Sequence, residues 1–129
     1  MALPGWQISR TYGTKTSCEA WTVGDPCVVK LRSRGKLFFN PGDTQLDITL
    51  LYHHGDSYYW AVANKVCRVP RKYFDTAGYL DYHGRRVRIP QALNEYLTLN
   101  YGDWRTPKPN FHHNELGTIV QRGNKTAAK

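Results

Sequence analysis

The stretch Gly84-Arg85-Arg86-Val87-Arg88-Ile89-Pro90 sets three arginines within four positions, just ahead of a proline. A guanidinium presents a planar fork of N–H donors that matches two phosphate oxygens at once. In an extended strand alternate side chains share a face, so Arg86 and Arg88 stand about 6–7 Å apart on one surface and Arg85 on the other. That spacing suits consecutive phosphates or a diphosphate. Residues 65–90 hold seven Lys and Arg against Asp75 and Asp81, a net +5 within a chain of formal charge +8. Such a concentration points to phosphate-bearing partners: nucleic acid, a nucleotide or a phosphorylated glycan. A merely solvated surface has the same composition.

The elements that must position these side chains are mostly short strands. Apolar, β-branched and aromatic runs between turn residues predict strands over 27–33 and 36–39, joined by a tight turn at Arg34-Gly35. A turn over 40–43, a strand over 46–52, a turn over 53–57 and a strand over 58–63 follow. Residues 78–89 read as a second hairpin about His83-Gly84. Aromatic and basic residues interleave over 58–74, a pattern that fits base or sugar stacking as well as a core with bases in water.

Pro90 disfavours a helical residue before it and pre-sets φ for a helix after it. Leu93, Leu97 and Tyr101, with Tyr96 beside them, form one apolar face, which predicts a helix over 91–101 packed through Leu93 and Leu97. Gly102 supplies the left-handed stop, and the prolines of Asp103-Trp104-Arg105-Thr106-Pro107-Lys108-Pro109 forbid continuation. The expected fold is α+β: a small, mostly antiparallel sheet with one short C-terminal helix. A chain of 129 residues makes one domain. Residues 1–26 show no assignable element, and 122–129 read as a disordered basic tail.

The pattern G-x-x-V-x-I-P-x-x-x-x-x-Y-L-x-x-x-Y-G-D-W-R-T-P resembles the C-terminal signature of the LicD/fukutin family. Gly84, Val87, Ile89, Pro90, Tyr96, Leu97, Tyr101, Gly102, Asp103, Trp104 and Pro107 carry the likeness, and Leu46-Asp47-Ile48 resembles the family's strand of hydrophobic-Asp-Ile. The resemblance spans roughly 28–110. It implies the later half of a nucleotidyltransferase-like fold and transfer of phosphocholine or a phosphoalditol from a CDP-linked donor to a glycan. It also implies Asp47 as a catalytic, metal-binding carboxylate for Mg²⁺, with Arg86, Arg88 and Arg105 as phosphate contacts. Divalent metal neutralises charge on a transferring phosphoryl group.

The family's Asp-x-Asp pair is absent from the chain. The expectation is therefore a truncated relative that binds a phosphate-rich ligand rather than completing catalysis alone, or one that needs a partner chain to supply the missing half. The other expectation, from a different class, is a basic nucleic-acid-binding or ribonucleoprotein-associated protein. A zinc site from His53, His83, His112 and Cys67 has no supporting ligand spacing. No run of 18 or more apolar residues predicts a membrane span. Three cysteines without a C-x-x-C pair, and no signal-peptide pattern at the N-terminus, place the expected location in the cytoplasm.

Overall fold

A computed structural model describes residues 4–34 and 41–123. Strands β1 (Trp6–Gly13), β2 (Pro26–Arg34) and β3 (Pro41–Thr49) form an antiparallel sheet in that order. Strands β4 (Tyr52–His54), β5 (Ser57–Val62) and β6 (Lys65–Pro70) form a second antiparallel sheet. Its fourth member is β9 (Ile119–Arg122), which returns from the end of the chain to pair with β6. Strands β7 (Ala77–Tyr82) and β8 (Arg85–Pro90) make a separate hairpin. Among the described residues, helix α1 (Lys72–Asp75) precedes the hairpin, and helix α2 (Leu93–Tyr101) and a 3-10 turn (His113–Glu115) follow it. The expected α+β class, with mostly antiparallel sheet and a short C-terminal helix, is what the chain adopts.

The four-stranded sheet sits between two cores, because β5 and β6 are apolar on both faces. Tyr59, Ala61 and Val66 point to one side and meet Trp21 and Cys27, which ties the first sheet to the second. Trp60, Cys67 and Val69 point to the other and meet Tyr73 of α1, with Phe74 and Tyr96 packed around them. The interleaved aromatics of 58–74 thus serve the interior: Tyr59, Trp60 and Tyr73 are all buried. Val66 and Val69 are fully buried, and each contributes roughly 1.5–3 kcal/mol by leaving water. Cys18, Cys27 and Cys67 are free thiols. Among the described residues no helix is long and apolar enough to cross a membrane.

Several boundaries differ from the expectation. Residues Pro41, Gly42 and Asp43 lie in β3 rather than in a turn, since Pro41 pairs with Arg34 across the sheet. A proline is tolerated as the first residue of a strand, where its missing N–H costs least. The strand expected over 46–52 divides into β3 and β4, and the following turn shrinks to Gly55-Asp56 because His53 and His54 pair with Tyr58 and Ser57. The strand over 36–39 and Gly35 of its turn lie outside the described residues. In the segment left unassigned over 1–26, β1 forms by pairing with β2, and Arg122, expected in the tail, closes β9 opposite Lys65. Helix α2 starts at Leu93, and Pro90 remains in β8 opposite Ala77. Its inward face is Tyr96 and Asn100 with half-buried Leu93 and Leu97, while Tyr101 is 44% exposed.

Candidate phosphate-binding site

The β7–β8 hairpin turns on two residues, His83 and Gly84, both with positive φ (46° and 74°). This is the mirror-image turn whose twist matches that of paired strands. It fixes the register Tyr82↔Arg85, Asp81↔Arg86, Leu80↔Val87 and Tyr79↔Arg88. Directly paired residues share a face, so Arg86, Arg88, Tyr79 and Asp81 stand on one side. Arg85 stands on the other with Tyr82, as alternation along the strand requires.

The guanidinium of Arg86 lies over the Tyr79 ring, 4.1 Å from its centroid. That contact holds the side chain in place without neutralising its charge. Arg88 rims a hollow of about 190 Å³ floored by Phe74, Ala77, Ile89 and Pro90. All three arginines of the hairpin are exposed, and among the described residues none takes part in an ion pair. Two charged forks therefore share one open face, 3.3 Å of rise per residue setting their separation.

The motif that follows builds a rigid end to α2. Gly102, at φ 68°, donates its N–H to the Thr98 carbonyl (2.8 Å), which closes the helix. Asp103 accepts from the Thr106 hydroxyl at 2.6 Å and so holds the next turn. Tyr101 packs on Phe111, ring centroids 5.6 Å apart. Arg105 lies over the Trp104 ring at 4.3 Å. It follows the far end of α2 from the hairpin, beyond nine residues and about 13 Å of helix. The structure brings Arg86 and Arg88 together on one strand and anchors Arg105 on Trp104. Tyr96 packs against the core, Leu97 is half-buried, and Pro107 is exposed in the loop.

Asp47 sits on β3 in the first sheet. Its Oδ2 lies 3.2 Å from Lys30 Nζ across the strand pair, and its Oδ1 accepts from Gln45 Nε2 at 3.0 Å. Mg²⁺ takes a shell of oxygen ligands, usually with more than one carboxylate or phosphate oxygen. A lone carboxylate already engaged by an ammonium and an amide does not fit that shell. Among the described residues no group of three or more His, Cys, Asp or Glu side chains is placed to hold a metal ion. His53 lies on β4, His83 at the hairpin turn and His112 before the last strand, so they do not gather around Cys67.

A second feature had no signature in the sequence. Glu95 Oε1 accepts from Lys72 Nζ at 2.7 Å and from the Tyr73 hydroxyl at 2.6 Å, which joins α2 to α1. These groups border a cleft of about 590 Å³ that Arg68, Leu99 and Thr118 also line. No local spacing predicts a bond between residues 22 positions apart. The Lys72 ammonium, then the Tyr73 hydroxyl, hold the Glu95 carboxyl below its ordinary value of 4.5. A depressed folded-state value adds stability above pH 4.5 that is lost as pH falls through the folded value. Glu95→Gln is therefore expected to destabilise the fold at pH 7. The gap from the parent should close below pH 4.5, read from urea midpoints across that range.

Protein-family models, curated proteins and solved structures were compared with this chain, and none matches.

Proposed function

We propose that this chain is a LicD/fukutin-like module that binds a phosphate-bearing ligand of glycan modification, a CDP-linked donor or a phosphorylated glycan. Binding runs through Arg86 and Arg88, and Arg105 is the third cation that the resemblance assigns to the ligand. The observation that carries the reading is the pair of exposed guanidiniums on one face of β8, outside any ion pair among the described residues. The turn, strand, helix and loop that carry the resemblance follow one another directly along the chain. Asp47 pairs with Lys30, and in this reading the acidic groups that phosphoryl transfer needs come from a partner chain.

The test is a titration of the isolated chain with CDP-choline, CDP-ribitol and inorganic polyphosphate, alongside a turnover assay with added Mg²⁺. Saturable binding without turnover is expected. Metal-dependent turnover abolished by Asp47→Asn would show that the chain is a complete enzyme. A failure to bind all three ligands would remove the reading altogether.

One observation favours a second reading. Tyr79 and Tyr82 are 51% and 61% exposed beside the arginines, and exposed rings among cations stack nucleic-acid bases. Binding to single-stranded RNA that exceeds binding to the CDP-linked compounds, and that decays steeply with salt, would select that reading.

A further inference from the structure

A sheet of two strands is marginal in water unless something packs against it or extends it. The hairpin nonetheless leaves Leu80 and Val87 48% and 36% exposed on the face they share with Tyr82, and among the described residues no strand pairs with the outer edge of β7. We infer that β7 pairs with β7 of a second copy of this chain, antiparallel about a twofold axis at Leu80, giving a four-stranded sheet with the two β8 strands outermost.

The hydrogen-bond phase of the hairpin sets which groups face outward. A two-residue turn is closed by a hydrogen-bonded pair, here Tyr82 and Arg85, and bonded and non-bonded pairs then alternate. Leu80↔Val87 and Gly78↔Ile89 are bonded pairs, while Pro90, which has no N–H, falls opposite Ala77 at a non-bonded one. The N–H and C=O groups of Tyr79 and Asp81 therefore point away from β8. With the axis at Leu80, each Tyr79 meets the partner's Asp81 in a bonded pair, and the two pairs exchange four backbone hydrogen bonds.

Side chains agree with that register. Leu80 meets the partner's Leu80 at a non-bonded position, where Cα atoms approach to about 4.5 Å. Tyr82 lies opposite the partner's Gly78, whose bare backbone an aromatic ring covers well. A continuous apolar strip then runs from Val87 through both leucines to the partner's Val87.

Charge selects this edge over the alternatives. On the opposite face the partner's Asp81 comes beside Tyr79, the ring that already carries the Arg86 guanidinium. The twofold repeats this attraction at both ends. Moving the axis to Asp81 would oppose two carboxylates, and pairing through β8 would bring its three arginines against those of the partner. Like charges directly opposite are destabilising, and charged edge strands resist pairing. The resulting dimer carries Arg86 and Arg88 of both copies on one face. The inference stands apart from the phosphate reading, because it rests on the edge and not on any ligand.

Sedimentation of the full chain from about 1 µM to about 500 µM tests it, since an interface this small gives weak association. A concentration-dependent doubling of the 14.9 kDa mass is expected, with Asp81→Lys weakening it at least about tenfold. In a Cys18→Ser background, Leu80→Cys should form an intermolecular disulfide at least about tenfold faster than Val87→Cys, because only position 80 meets its own copy within disulfide reach. A parent chain that stays monomeric throughout, or Leu80→Cys cross-linking no faster than Val87→Cys, overturns the inference.

Discussion

Gly117→Ala is expected to lower the stability of the fold by about 3 kcal/mol. Gly117 donates its N–H to the Asn100 carbonyl at 2.9 Å, and the Thr118 hydroxyl donates to Asn100 Oδ1 at 2.7 Å. The Thr118 carbonyl in turn accepts from the Arg68 N–H at 2.9 Å. Residues 117 and 118 thus strap the last turn of α2 to β6 and deliver the chain into β9. A Cβ on Gly117 would run into the carbonyl oxygen of Leu99, which is helix backbone and cannot rotate aside. Either α2 moves off the sheet or the strap opens and β9 loses its register. Overpacking alone costs about 1–3 kcal/mol, and buried hydrogen bonds left unmade add about 1 kcal/mol or more each. Urea unfolding of parent and variant measures the difference. A loss below about 0.5 kcal/mol would mean that the strap is not needed to hold the helix.

Arg86→Ala combined with Arg88→Ala is expected to weaken binding of a phosphate-rich ligand by roughly 2 kcal/mol or more, about 30-fold in Kd. A hydrogen bond to a charged group contributes about 1.5–3 kcal/mol, and the two guanidiniums share a face on which a pair of phosphates can engage both. The fold should survive, because exposed charges contribute little to stability. The Tyr79 ring loses its guanidinium in the variant but stays on the hairpin, so the loss of affinity reports charge rather than collapse. Titration calorimetry with polyphosphate and a thermal melt of the same sample separate the two effects. Unchanged affinity in the folded fraction, or unfolding without a change in that affinity, would make these arginines structural.

What was legible in the sequence is what neighbouring residues decide between themselves. His83-Gly84 between two alternating runs suffices for a hairpin, because a two-residue turn with positive φ leaves little choice of register. Alternation along β8 then places Arg86 and Arg88 together without reference to the rest of the chain. Gly102 ends α2 for the same local reason, since its positive φ of 68° is open to a residue without a Cβ. Distant pairings were another matter. Within 1–26, Trp6–Gly13 is a strand only because β2 offers it a partner, and Arg122 is in a strand only because β6 has an open edge. Lys30 meets Asp47 only because β2 and β3 pair across the sheet. Glu95 meets Tyr73 through the packing of two helices, and that packing also turns Tyr96 and Asn100 inward while leaving Tyr101 in water. Turn type, helix stop and strand alternation are set by backbone sterics within a few residues, so the sequence alone determined them. Which faces are buried and which charges meet depends on contacts between residues tens of positions apart, whose loop-closure cost only the assembled core offsets, so only the tertiary structure decided them.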